Sequence, residues 1–294
     1  MIDFLKYQKW YVAISSIVIA VGLISIMVWG FTISIDFTGG TELSVQSEKL
    51  LSHETVVAVA KAQNIELSSV NALEKNSGLL IKTRALSTEE EQTFLSGLQD
   101  KVGEITVINA ETVGPVIGAE TLEKTAIASG IAIVGILLYI AYSFKKFTFA
   151  VAAISALLHD TIVVIGMYSL ISHFFGAELD TLFVTALLTT MSFSVHDTIV
   201  VFDEIRAYQK RGIHNDMATY ANTALTNTMV RSLNNSFTII FMLLALTLLG
   251  GSTIRFFAVA LLIGTITGTY SSPFVATPLA VWFEKLKSRK SIDH

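Results

Sequence analysis

The sequence predicts an α-helical polytopic membrane protein with six transmembrane helices and a small external α+β domain between the first and second spans. Of its 294 residues, 52% are hydrophobic and only 15% are charged, and the mean hydropathy is +0.61. This composition is far more apolar than that of an ordinary soluble domain. Several uncharged stretches reach the roughly 20 residues that a bilayer core requires, and one segment of soluble composition interrupts them.

The composition also excludes several classes of function. The formal charge of −4 gives no sign of a protein that neutralises nucleic-acid phosphates, so we expect no nucleic-acid partner. The absence of cysteine excludes disulfides, thiolate zinc sites and a cysteine nucleophile. No phosphate-binding loop motif occurs, so energy must come from a source other than a bound nucleotide. We expect no enzymatic activity and no cofactor or metal.

The first predicted span runs from Trp10 to Ile35. Trp10 and Tyr11 at one end and Trp29 at the other lie about 28 Å apart at the helical rise of about 1.5 Å per residue, as interfacial aromatic residues do. The stretch is too long for the apolar region of a signal peptide, and no small-residue cleavage motif follows it. We therefore expect a membrane anchor.

Five further apolar stretches complete the six predicted spans: Thr125–Phe144, Phe147–Ile171, Thr181–Phe202, Ser232–Ile254 and Phe256–Phe283. Basic residues cluster near both termini and in alternate loops: Lys6 and Lys9, Lys145 and Lys146, Arg206, Lys210 and Arg211, and Lys285, Lys287, Arg289 and Lys290. The other loops, Ser172–Asp180 and Gly250–Thr253, contain no Lys or Arg. Because basic loops stay in the cytoplasm, we expect both termini to be cytoplasmic.

These boundaries divide the chain into residues 1–35 with the first span, residues 36–124 as a domain on the outer side, and residues 125–294 with the other spans. The external domain has the pattern βαββαβ, with elements at Thr41–Gln46, His53–Gln63, Ser68–Leu73, Leu79–Thr83, a capping-box helix from Ser87 to Lys101, and Ile105–Ile108. This order is typical of a ferredoxin-like domain, which serves many functions. Gly39 and Gly40 after the first span are either its hinge or a plain turn.

Ionisable residues lie inside two of the predicted spans. The string His-Asp-Thr-Ile-Val-Val occurs twice, at His159–Val164 and at His196–Val201. An ionisable side chain at the centre of a membrane helix costs about 2.5–3.5 kcal/mol on insertion scales, and it usually marks an ion path or a buried partner. His159, Asp160, His196 and Asp197 are therefore candidate ion-coupling residues, although neighbouring helices could also satisfy a buried Asp160 structurally.

Polar residues recur at helical spacing on the fourth and fifth spans. The fourth-span stripe contains Thr190, Ser194, Asp197 and Glu204, and the fifth-span stripe contains Asn227, Arg231, Asn234 and Thr238. Asp197 and Arg231 each lie about 13 Å from the inner boundary at about 1.5 Å per residue, so they are at a depth that allows pairing. Burial and a nearby cation would have opposite effects on the tendency of the Asp197 carboxylate to bind a proton, and together they would poise it for proton exchange. A static salt bridge is the alternative.

The sixth span contains a ladder of small residues and two prolines. The ladder of Ala260, Gly264, Gly268 and Ser272 predicts close approach of another helix. Pro273 and Pro278 predict a kink or the end of the helix.

Motifs along nearly the whole chain resemble the SecD/SecF family, in its SecF branch: Asp36-Phe37-Thr38-Gly39-Gly40, Glu111-Thr112-Val113-Gly114-Pro115, the run His196–Arg206, Arg231-Ser232-Leu233-Asn234-Asn235-Ser236, Gly250-Gly251 and Gly268-Thr269-Tyr270-Ser271-Ser272. No single motif carries the resemblance. The chain departs from it at Pro273, where an apolar non-proline residue is expected.

This resemblance implies membership of the resistance-nodulation-division superfamily. It implies a multi-pass protein of the bacterial cytoplasmic (inner) membrane whose partners are SecD, the SecYEG channel, a translocating preprotein, the lipid bilayer, and protons or Na⁺. Members use the ion gradient, usually of protons, to assist protein export. The family's fourth-span Asp and fifth-span Arg, which are implicated in ion movement, match Asp197 and Arg231, with His196, Asn234, Asp160 and His159 as further candidates.

Three other functions stay open at this stage. An exporter of small molecules or lipids from the same superfamily would need a large external domain, and residues 36–124 are few. An intramembrane aspartyl protease would use Asp160 and Asp197, but Phe193-Ser194-Val195 stands where the usual glycine motif would precede the second Asp. In a purely structural subunit, the buried charges would only specify helix pairing.

Overall fold

The structure is a computed structural model that describes residues 3–47, 51–72, 78–144, 146–212 and 216–292. The chain divides into two compact units. One unit contains Met1–Thr32 and Ala128–His294, and the other contains Ile33–Ile127. Most of the first unit is helical, and the second contains the larger sheet.

Among the described residues, six helices are long and apolar enough to cross a membrane, which confirms the predicted number of spans. In chain order these six spans are Phe4–Val28, Pro115–Ser143, Phe147–Phe175, Thr181–Arg211, Met217–Leu249 and Ile254–Lys287. The first begins with a 3₁₀ turn at Phe4–Tyr7, and two-residue strands lie at Thr32–Ile33 and Glu178–Leu179. In the most apolar stretch of the third span, 61% of the residues are buried, whereas in that of the second span only 6% are buried. The third span is therefore central and the second peripheral.

Several predicted span boundaries are wrong. The fourth span ends at Arg211 and not at Phe202, and the fifth begins at Met217 and not at Ser232. The first span ends at Val28 and not at Ile35, because Gly30 adopts the left-handed conformation (φ +66°) and its N–H bonds the Ile26 carbonyl at 3.0 Å. The second span begins at Pro115, well before the predicted Thr125. Proline is favoured in the first helical turn. The residues that follow it are partly polar, so the apolar pattern begins later than the helix does.

Close backbone approach sets the packing of two pairs of spans. A Cβ atom added to Gly166 of the third span would lie 2.6 Å from the Cα of Gly22 on the first span. On the sixth span, a Cβ atom at Gly264 would overlap the Thr190 side chain, and one at Gly268 would lie 3.2 Å from Ser194 Cα. The predicted small-residue ladder therefore admits the fourth span.

The prolines of the sixth span do not end the helix. Its first α-helical segment, Ser252–Ser271, continues through a π-helical turn at Ser272–Ala276 into a second segment, Thr277–Ile292. Pro273 lies in the π turn, where a wider helix accommodates the missing N–H. The Thr277 hydroxyl donates to the Ser272 carbonyl at 2.9 Å, which satisfies that acceptor.

Apart from the start of the second span, the described residues of the second unit form four strands and two longer helices. They are β1 (Gly40–Ser47), α1 (His53–Ala62), β2 (Leu67–Ala72), β3 (Gly78–Thr83), α2 (Thr88–Val102) and β4 (Ile105–Val113), preceded by a one-turn helix at Ile35–Thr38. The sheet order is β2-β3-β1-β4, with each neighbouring pair antiparallel. Leu43, Ile81 and Phe94 are fully buried in its core. Leu73, the predicted end of β2, lies outside the described residues.

Helix α2 begins with the capping box that the sequence predicts. Ser87 Oγ accepts from the Glu90 N–H at 3.2 Å, and the Glu90 carboxylate accepts from the Ser87 N–H at 2.9 Å. The Arg84 guanidinium donates to both carboxylate oxygens of Glu90, at 2.6 and 3.2 Å. These bonds, first the one from Arg84 and then the one from Ser87, lower the pKa of Glu90 to about 2.

We expect Arg84→Ala to return the pKa of Glu90 toward its usual range, because the largest stabilising influence on its charged form is lost. The Arg84–Glu90 pair contributes to the stability of the fold above the pKa that glutamate has in the unfolded chain. This contribution is lost as the pH falls toward 2. Carbon NMR of the Glu90 carboxyl measures this. Lys101→Ala, at the other end of α2, should leave the titration unchanged.

We expect Gly166→Leu to lower the free energy of unfolding by about 1–3 kcal/mol or more, because a side chain there must push the first span away. The measurement is the thermal unfolding midpoint in detergent. Gly135→Leu is the control, since no described atom lies within 4 Å of a Cβ at this position in the second span. Equal midpoints for the two variants would contradict the proposed close contact.

Candidate ion-coupling site

The fourth span places Asp197 in the interior of the helical unit. The side chain is buried, with 7% of the residue exposed. The hydroxyl of Ser232, on the fifth span, lies 2.7 Å from each of the two carboxylate oxygens and donates to them. A single neutral hydroxyl therefore bridges this carboxylate to the fifth span.

The expected pairing of Asp197 with Arg231 is wrong. Within the part of the chain that the structure describes, these residues form no ion pair, and the Arg231 side chain is exposed. Successive residues on an α-helix point about 100° apart, so a helix that turns Ser232 toward Asp197 turns Arg231 away. His196 and Asn234, the flanking candidates, are exposed as well.

The third span carries a second buried carboxylate, Asp160, which is 4% exposed. One oxygen, Oδ1, lies 2.9 Å from Nδ1 of His159. The other, Oδ2, accepts from Ser194 of the fourth span at 2.5 Å and from Ser271 of the sixth span at 2.6 Å. Asp160 therefore joins three spans, and Ser194 is the stripe residue that brings the fourth span to it.

His159 is buried but only partly hydrogen-bonded. Its residue exposure is 9%, and its Nε2 atom is buried with no hydrogen-bond partner among the described residues. The ring of Tyr270 lies nearby, with 6.4 Å between ring centroids. The Tyr270 hydroxyl is directed elsewhere, donating to the Tyr11 carbonyl at 3.0 Å.

Asp160 and Asp197 do not form a carboxylate dyad. Asp160 is bound by Ser194 and Ser271, whereas Asp197 is bound by Ser232, and no hydrogen-bond partner that the described residues provide is common to both. An aspartyl protease needs two carboxyl groups that share one proton. The geometry gives the protease alternative no support.

Hydroxyl pairs connect the sixth span to its neighbours. Thr198 of the fourth span meets Ser272 at 2.9 Å between hydroxyl oxygens, and Ser236 of the fifth span meets Thr269 at 2.6 Å. Ser232 and Ser271 were not predicted as site residues, although both lie within motifs of the family resemblance, because serine is common in membrane helices. Their position within one to three residues of other polar positions was the available signal.

The rest of the predicted stripes and glycines have local roles. Asn227 donates to the Tyr208 hydroxyl, and Thr238 donates to the Asn234 carbonyl of its own helix at 2.9 Å.

Gly39 (φ +72°) and Gly40 (φ +141°) adopt conformations that favour glycine, and a Cβ at Gly39 would lie 2.6 Å from Pro115 Cα. Among the described residues, no three His, Asp or Glu side chains lie close enough to hold a metal ion.

Comparison with known proteins gives the family. Residues 94–286 match the model of the C-terminal region of the protein export membrane proteins SecD/SecF. The chain belongs to the SecD/SecF family. The SecF protein translocase subunit of Thermobaculum terrenum is 38% identical over 97% of this chain and 94% of its own length. That of Anaerolinea thermophila is 36% identical over 96% of this chain and 94% of its own length.

Solved structures of the SecD/SecF family also resemble this chain. The crystal structure of SecDF from Thermus thermophilus, a translocon-associated membrane protein, superposes with a TM-score of 0.83 at 34% identity over 97% of this chain. This chain spans 39% of the SecDF chain. Six apolar helices and the SecF homologues make it a multi-pass protein of the bacterial membrane.

We expect Ser232→Ala to lower the free energy of unfolding by about 1–3 kcal/mol, because the buried Asp197 carboxylate loses a donor. The thermal unfolding midpoint in detergent measures this. Ser236→Ala, one helical turn further along, removes a hydroxyl that meets only a neutral one and should have a smaller effect. An equal effect of the two substitutions would show that the charge of Asp197 does not matter to the contact.

Proposed function

We propose that this chain is the SecF subunit of a SecD–SecF accessory complex of the Sec preprotein translocase. It uses the transmembrane gradient of protons, or of Na⁺, to drive conformational changes that assist export, and it does so without catalysing a covalent reaction. One observation carries the coupling role: Asp197 is an acidic side chain buried within an apolar span and joined to the next span by one hydroxyl. Family membership supports the export role.

The exposed polar face of the helical unit supports SecD as a partner. Polar side chains of the fourth and fifth spans are exposed in the isolated chain at Ser192, His196, Asn227, Arg231, Asn234, Asn235 and Thr238. Ionisable and amide groups inside membrane spans almost always face protein or a water-filled cavity and not lipid. The SecDF relatives, of which this chain spans about 40%, have the additional chain length for such a covering unit.

The coupling step acts at the contact between Asp197 and Ser232. A proton bound to the carboxylate removes its charge and weakens the bond from the hydroxyl, which releases the fifth span from the fourth. Arg231 is about 100° around the same helix, so a rotation of the fifth span exchanges Ser232 for Arg231 at the carboxylate. Each elementary charge that crosses 100 mV supplies about 2.3 kcal/mol for such a shift.

The orientation and the outer unit complete the proposal. The basic loops support cytoplasmic termini and an outer position for residues 36–124. The strand order β2-β3-β1-β4 supports a ferredoxin-like domain, and Gly39 and Gly40 are its candidate hinge. A preprotein that emerges from SecYEG would be held and released by this outer domain. The resistance-nodulation-division superfamily is the proposed wider group.

The test is preprotein export into inverted membrane vesicles that contain the chain with SecD, with and without an imposed proton gradient. In Asp197→Asn, we expect export with the gradient to fall to the level seen without it, because the side chain can no longer exchange a proton. Arg231→Ala should lose most of the gradient response.

Asp203→Asn is the matched control, because this exposed carboxylate lies on the same helix and pairs with Arg206. It should keep the full gradient response. A normal response in Asp197→Asn would refute the coupling role and leave only the architecture of a translocase subunit.

A further inference from the structure

The buried pair His159 and Asp160 has no cationic partner among the described residues. Both side chains are at least nine-tenths buried in the most buried span, and no Lys or Arg side chain contacts them in the part of the chain that the structure describes. A buried, uncompensated carboxylate is costly, because the low-dielectric interior replaces water. Something other than a fixed basic residue must offset this charge.

The hydrogen bonds of Asp160 show where a proton would bind. Ser194 and Ser271 donate to Oδ2 of the carboxylate, and His159 Nδ1 lies 2.9 Å from Oδ1 and donates to it when the ring carries its proton on Nδ1. With three donors bound, at most one of the roughly four lone-pair positions of the Asp160 carboxylate stays free for a proton. His159 Nε2 has no partner, so a proton there breaks no bond with the described residues.

We propose that His159 and Asp160 form a second proton-binding site, with the proton held on Nε2 of His159 and Asp160 as its counter-ion. In the unloaded state, the neutral ring donates from Nδ1 and carries its lone pair on Nε2, and the pair has a charge of −1. Binding one proton at Nε2 forms a single N–H bond and brings the pair to zero charge. The site rests on the proposed function, because it adds a second site to the same ion coupling.

Among the residues that the structure describes, the surrounding helices pair no other charged side chain with His159 or Asp160. From the sixth span, Tyr270 faces the His159 ring, and its hydroxyl donates to the carbonyl of Tyr11 on the first span. The fourth span carries Asp197, which is bound to Ser232. Its His196 is exposed. Glu284, near the end of the sixth span, binds Thr148, which lies about three turns before the pair on the third span.

The site is placed to communicate with Asp197. Ser194, which donates to Asp160, lies one helical turn before Asp197 on the fourth span. Ser271, the other donor, is followed directly by the π turn of the sixth span. A proton on His159 turns its bond to Asp160 into an ion pair that competes with the two serine hydroxyls for the same carboxylate, so proton binding here acts on the contacts of the third span with the fourth and sixth.

Nitrogen NMR of histidine-labelled full-length chain in lipid nanodiscs tests the site without relying on a variant fold. We expect neutral His159 to carry its proton on Nδ1 and to become doubly protonated on acidification while the chain stays folded. The signal that disappears in His159→Gln identifies the residue. A neutral ring protonated on Nε2, or a ring that never takes a second proton, would overturn the proposal.

The export assay supplies a functional arm. We expect His159→Gln to reduce the gradient-stimulated part of export at least tenfold. His173→Gln should keep it, since this exposed histidine of the same helix stacks on Trp29 with ring centroids 4.4 Å apart. If His159→Gln keeps the response while Asp197→Asn loses it, the second site is refuted and the proposed function stands. If both keep it, the proposed function itself fails.

Discussion

A carboxylate inside a membrane helix bundle must be hydrogen-bonded or neutralised, and the helical unit of this protein is organised around two of them. Asp160 satisfies this demand with three hydrogen-bond partners, one each on the third, fourth and sixth spans. Asp197 satisfies it with the Ser232 hydroxyl. The difference matters because a carboxylate with several donors holds its neighbours in one arrangement, whereas a carboxylate joined by one hydroxyl can exchange its partner at smaller cost.

Small residues make these contacts possible. A serine hydroxyl reaches only a short distance from its backbone, so it can bridge two helices only where their axes approach closely. Gly264 and Gly268 provide this approach between the sixth and fourth spans, and the crossing of Gly22 with Gly166 provides it between the first and third. The hydrogen bonds between helices therefore depend on the glycine contacts. A larger residue at one of these glycines would push the two helices apart and lengthen the serine hydrogen bonds between them, even without touching those serines.

The exposed polar groups of the fourth and fifth spans give the bundle a face that lipid would not solvate. Arg231, His196 and Asn234 lie there, and all three were expected near the coupling carboxylate. Their exposure follows from the rotation of the fourth and fifth spans, which turns Asp197 and Ser232 toward each other. The chain therefore has the properties of one part of a larger membrane unit, in agreement with the relatives in which it corresponds to about 40% of the length.

The sequence by itself determined the number of spans, the capping box of Ser87 and the burial of two acidic side chains, because each depends on local composition or spacing. Only the tertiary structure decided which residue meets Asp197. Periodicity shows which residues share a face of one helix, but side-chain packing sets the rotation of that helix against its neighbour. Since one residue corresponds to about 100° of rotation, this rotation decides between Arg231 and Ser232. The π turn at Pro273 was likewise decided by packing, because a proline alone predicts either a kink or an end.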